Sequence, residues 1–95
     1  MPTLHIEHTI SDFEVWQQAF ERFDDARQQA GVRSHQVRRP VDDGQYVVID
    51  LEFATVEQAE RFRDFLHEKV WSSSANSPAL VGSPSTKILE LTLSS

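Results

Sequence analysis

The sequence predicts an α+β fold whose elements run strand, helix, strand, strand, helix, strand. Three observations carry this order. Two capping-box signatures, Ser11-Asp12-Phe13-Glu14 and Thr55-Val56-Glu57-Gln58, each open a run with apolar residues at three- and four-residue steps. Stretches that alternate with a period of two precede, separate and follow these runs. Gly31 and the Pro40-Val41-Asp42-Asp43-Gly44 segment mark the stops between them.

Thr3 to Thr9 alternates, with Leu4, Ile6 and His8 on one side and His5 and Glu7 on the other. Ser11 is the expected cap of the first helix, whose stripe is Phe13, Trp16, Phe20 and Phe23, with Gly31 closing it. Val32 to Arg39 reads as the second strand. Proline and Asp-Gly turn the chain, and Tyr46 to Phe53 returns as the third strand, with Val47, Ile49, Leu51 and Phe53 on one face. The second helix runs from the Thr55 cap through about Lys69 and buries Val56, Ala59, Phe62 and Leu66. Ser72 to Thr86, rich in serine and holding Pro78, Gly82 and Pro84, reads as a long connection with one helical turn at Ser77–Leu80. Lys87 to Leu93 is the last strand, with Leu89, Leu91 and Leu93 opposed to Ile88 and Thr92. Connection rules make this order a ferredoxin-like split βαβ sandwich, an antiparallel sheet with both helices on one face.

Ninety-five residues, 39% of them apolar and 25% charged, suit one globular domain spanning 1–95. The chain has no cysteine, which removes disulfides and thiolate chemistry. A net charge of −6 opposes binding to nucleic acid and to anionic membrane surfaces. The longest apolar run, Tyr46-Val47-Val48-Ile49, is far short of a bilayer span. Met1 to Glu7 has neither a basic start nor an apolar stretch, so the expected location is cytoplasmic. With three glycines there is no dinucleotide fingerprint or phosphate loop, so no nucleotide cofactor is expected. His5 and His8 face opposite ways on a strand and do not chelate together, so no metal is expected either.

Two helices cover only one side of such a sheet. The row Tyr46, Val48, Asp50 and Glu52, with Ile88 and Thr92 of the last strand, is expected on the other side. Its apolar members point to a homodimer packed sheet face to sheet face.

His8-Thr9-Ile10-Ser11-Asp12-Phe13-Glu14-Val15-Trp16, Gly31-Val32-Arg33-Ser34-His35 and Val47-Val48-Ile49-Asp50-Leu51-Glu52-Phe53, followed by Ala59 and Phe62, resemble the corresponding segments of dimeric α+β barrel proteins. That superfamily includes cofactor-independent antibiotic-biosynthesis monooxygenases, polyketide cyclase-like proteins and stress-responsive barrels. The resemblance implies a dimer with a pocket between helices and sheet. The sequence departs from the pattern at Asp50, where an aliphatic residue is usual, and in the serine-rich connection.

Within that frame, three residues are candidates for catalysis. His8 shares a row with Leu4 and Ile6 and borders a pocket walled by Trp16, Phe20, Phe62 and Trp71, where a neutral imidazole acts as a base near neutral pH. If Arg39 pairs with Tyr46, His35 faces Asp50 and Arg33 faces Glu52, and the carboxylate orients the imidazole as in a catalytic dyad. The expected activity is a monooxygenase- or cyclase-like reaction on a flat, apolar or phenolic molecule. The alternative is a non-catalytic dimer that binds a small ligand or serves a stress role.

Overall fold

Alternation along Thr3–Ile10 builds β1, an inner strand of the sheet, with Leu4, Ile6, His8 and Ile10 turned inward and buried. A computed structural model of the chain describes residues 1–94. After β1 come α1 (Phe13–Arg22), α2 (Asp24–Gln29), β2 (Ser34–Arg38), β3 (Tyr46–Glu52), α3 (Val56–Phe65) continued by a π-helical turn (Leu66–Val70), and β4 (Leu80–Leu89). The four strands form one antiparallel sheet in the order β2-β3-β1-β4. This is the expected ferredoxin-like layout. Leu4, Val47 and Phe53 from the sheet meet Trp16, Ala59 and Phe62 from the helices in one apolar cluster, so the helices cover a single face. No helix among the described residues is long and apolar enough to cross a membrane.

The starts of α1 and α3 carry side-chain caps, the first shifted by one residue from the expected cap. Asp12, not Ser11, caps α1: its backbone is extended and its carboxylate accepts the Val15 N–H at 3.1 Å. Thr55 accepts from the Gln58 N–H at 3.2 Å, while the Gln58 amide accepts from Ala54 N. The first helical run breaks at Phe23, beyond which α2 opens on Asp24 and Asp25. Gly31 has a φ of 94°, a left-handed conformation that favours glycine, and a side chain there would also push the Gln58 amide aside.

Three expectations about the sheet are corrected. In the hairpin, Gln36 rather than His35 stands opposite Asp50, and Ser34 rather than Arg33 opposite Glu52. This one-residue slip turns His35 and Val37 toward the helices. The last strand begins at Leu80 instead of Lys87, because an edge strand accommodates Gly82 and Pro84 in a bulge, where the register against β1 shifts between Glu7 and Thr9. Pairing with β1 then reverses the expected parity: Ile88 lies opposite Leu4 and packs on the core, while Leu89 lies opposite Thr3 on the open face. Leu91 and Leu93 fall beyond the strand and are exposed. The connection is thereby reduced to residues 71–79, which hold turns and no helix at Ser77–Leu80. Its serines and asparagine tie it to the preceding helix: Ser72 Oγ donates to Glu68 O, Asn76 Nδ2 to Lys69 O, and Ser77 Oγ to Val70 O.

The open face is more polar than expected. His5 holds Asp50 through Nδ1 at 2.6 Å and Glu7 through Nε2 at 2.8 Å. Tyr46 donates to the other Glu7 oxygen at 2.7 Å, and Arg38 donates to the other Asp50 oxygen at 3.2 Å. The hydrogen bond to Glu7, and then Asp50, raise the His5 pKa above its ordinary 6.5 against the opposing effect of burial. A raised folded-state pKa contributes stability that is complete below pH 6.5 and is lost as pH rises through the folded value. The melting-temperature advantage of the wild type over His5→Ala is therefore expected to be several degrees at about pH 5.5 and to shrink by about pH 9; an advantage that grows with pH contradicts the clamp. In the core, Phe53 is fully buried, and Phe53→Ala is expected to cost about 3–5 kcal/mol in urea unfolding.

Candidate functional site

The inward row of β1 ends in a titratable group. His8 is buried, with 5% of its surface exposed, between Ile6 and Ile10 of the same row. Its Nδ1 lies 3.0 Å from Thr9 O. A carbonyl only accepts, so Nδ1 carries the proton and Nε2 keeps a free lone pair. Burial lowers the His8 pKa below 6.5 and outweighs the opposing bond to Thr9, so the ring is neutral at pH 7. The bulge in β4 occurs across from this residue, where β1 and β4 lose register.

A hollow of about 70 Å³ lies between the sheet and the helices and is partly open to solvent. His8 and Ile6, with Ile49 and Leu51 of β3, lie on its sheet side; Trp16, Phe20 and Arg27 line it from the first helical run, and Phe62, Leu66 and Trp71 from the second. This volume is smaller than the ~150 Å³ hole that holds a benzene ring. Trp16 stacks on Phe20 with centroids 4.9 Å apart and meets the His8 ring edge-on at 6.5 Å. The π-helical turn delivers Leu66, Val70 and Trp71 to this wall; its signature is the bond from Trp71 N to Leu66 O at 2.7 Å. Asn76 and Ser77 of the connection add polar groups at the rim.

The residues singled out in the sequence divide into three groups. His8, Trp16, Phe20, Phe62 and Trp71 line one hollow. His35 does not line that hollow: it is exposed in an adjoining groove with Phe13, Gln17 and Val37, which shares Trp16, Phe20 and Arg27 with the hollow, and its ring is edge-on to Phe20 at 5.5 Å. Asp50 is on the far side of the sheet, where His5 and Arg38 hold it. The His35–Asp50 dyad therefore does not form, because the hairpin register puts the two residues on opposite faces. Among the described residues no three His, Asp or Glu side chains gather as metal ligands.

One member of the hollow escaped the sequence reading. Arg27 is as buried as His8, at 5% exposure. Its Nη1 donates to Phe20 O at 2.7 Å, its guanidinium carbon lies 3.7 Å over the Phe20 ring, and Asp24 stands 3.6 Å from Nη2. Its Nε is buried without an acceptor. The available signal was spacing: Phe13, Trp16, Phe20, Phe23 and Arg27 follow one another at steps of three and four, so Arg27 belongs to the inward stripe.

No protein-family model and no curated protein matches the sequence. Solved structures match its shape over almost the full length. A candidate antibiotic biosynthesis monooxygenase from Nitrosomonas europaea is 12% identical with a TM-score of 0.71, covering 98% of this chain and 100% of its own. A second antibiotic biosynthesis monooxygenase is 8% identical with a TM-score of 0.66 over 98% of this chain and 100% of its own. A dimeric ferredoxin-like protein from an uncultured marine organism is 14% identical with a TM-score of 0.62 over 97% and 96%. The chain has the ferredoxin-like fold that these monooxygenase-like and dimeric proteins share.

Proposed function

We propose that the chain acts as an antibiotic-biosynthesis-monooxygenase-like protein on a flat, largely apolar phenolic molecule, with His8 as the base. The observation that carries this reading is a neutral imidazole, its Nε2 lone pair unprotonated, in the wall of an aromatic hollow. The ring of the substrate lies along Trp16 and Phe20, and Phe62 and Trp71 close the other side. His8 takes the phenolic proton and leaves an electron-rich carbanion equivalent. Attack of that carbon on dioxygen gives a peroxide that takes the proton back from His8. The hydroperoxide then loses the hydrogen of the same carbon and, by O–O cleavage, its hydroxyl as water to leave a carbonyl. One oxygen atom ends in the product and the other in water, so the step balances with dioxygen as oxidant.

The same reading makes the protein a homodimer through its open sheet face. Tyr46 and Val48, with the exposed Val81 and Leu89, supply apolar area there, and one of the similar structures is described as dimeric.

His8→Ala and His8→Gln are expected to lower oxygen uptake with a panel of naphthols and hydroquinones by about 10²–10⁴-fold while leaving the melting temperature within a few degrees. Because burial depresses the His8 pKa, the acid limb of the kcat/KM profile is expected below pH 6.5, with activity lost as pH falls through the folded pKa. Ligand binding with no turnover in the wild type selects the non-catalytic alternative. Light scattering at micromolar concentration is expected to give twice 10.9 kDa, falling toward 10.9 kDa in Val48→Asp; a wild-type mass of 10.9 kDa rejects the dimer.

A further inference from the structure

The hollow contains a cation as well as a base. Arg27 is always protonated in proteins, so its burial places a full positive charge against an apolar wall. Burial in fact works against that charge, and the internal compensation is incomplete. Nη1 satisfies the Phe20 carbonyl at the end of α1, a capping role. Nη2 has Asp24 at 3.6 Å, beyond hydrogen-bond length, and the Asp24 side chain is 53% exposed to solvent. Neither contact uses Nε, which is buried with no acceptor. Capping alone therefore does not account for this residue.

The position of the guanidinium relative to the aromatic wall indicates what is missing. Arg27 lies over Phe20, and Phe20 is stacked on Trp16, so cation and rings form one continuous ladder along the hollow. His8 meets Trp16 at the other end of that ladder. A ring laid along Trp16 and Phe20 thus runs from a neutral base toward a buried cation. We propose that Arg27 anchors an anionic oxygen of the ligand, so that the hollow selects a ring-bearing acid, a carboxylate or an acidic enol, over a neutral ring of the same shape. This rests on the reading of the hollow as the ligand site and adds the charge class of the substrate. The preference for an anion holds locally despite the overall charge of −6, because a buried guanidinium is screened far less than the acidic surface.

Benzoate and benzamide are probes of nearly equal shape that differ in charge. In NMR titrations of the full chain at pH 7 and low salt, benzoate is expected to bind about tenfold or more tighter than benzamide. The Arg27 Nε–H resonance, assigned by its absence from Arg27→Met, is expected to move with benzoate and not with benzamide. Arg27→Met is expected to erase the preference while still binding benzamide. Where that variant fails to fold, assignment through Arg27→Lys and the wild-type titrations alone decide. Equal binding of both probes, or an Nε–H resonance that benzoate leaves unmoved, overturns the anchor and leaves the hollow as a site for neutral rings. Binding of neither probe overturns both the anchor and the ligand site.

Discussion

The two-residue period of β1 is the constraint on which the rest depends. The strand is paired on both sides, to β3 and to β4, so its side chains cannot exchange faces without breaking two ladders. That parity sends His5 to the open face and His8 to the core, three positions apart in sequence and in opposite electrostatic surroundings. His5 sits between two carboxylates that favour its charged form, whereas His8 sits among aliphatic and aromatic groups that disfavour it. One residue type thus plays two roles: an ion-pair clamp that holds strands together on one side, and a neutral base candidate on the other.

How far the sequence discloses this arrangement varies by element, for physical reasons. β1 and β3 are readable because each has one row made almost wholly of large apolar residues. The aromatic wall is readable for the same reason, since Phe13, Trp16, Phe20 and Phe23 leave no other face for the helix to bury. β2 is different: Ser34, Gln36 and Arg38 against His35 and Val37 offers no row apolar enough to choose a register, and the hairpin slips by one. β4 is hidden by Gly82 and Pro84, which signal a loop in any central strand but are compatible with an edge strand that bulges. Arg27 is hidden by its type, since arginine is rarely buried, although its place in the stripe is as regular as that of the phenylalanines.

The serine-rich connection shows how composition misleads when read without its partners. Serine clusters signal turns because the hydroxyl competes for backbone groups. Here those hydroxyls, with the Asn76 amide, take the carbonyls at the end of the second helical run that have no helical donor. The segment is therefore bound to the end of that run, and it brings Asn76 and Ser77 to the rim of the hollow. The bulge that follows lets the chain return to the sheet beside His8, so connection and bulge together shape one wall of the site.

Likeness of shape does not supply chemistry. At 8–14% identity the similar structures share a fold with this chain, and a fold of this kind hosts unrelated functions. Function has to rest on side chains that the fold does not require. A stable two-layer domain needs Leu4, Val47 and Phe53, whereas an imidazole and a guanidinium in the same interior each cost desolvation that a leucine at that place avoids. His8 meets that cost partly through Thr9 O, and Arg27 partly through Phe20 O. What remains unused in each is a lone pair on one and an N–H on the other, complementary groups on one hollow. That pairing, more than any resemblance of outline, is the ground on which we propose chemistry in the space between sheet and helices.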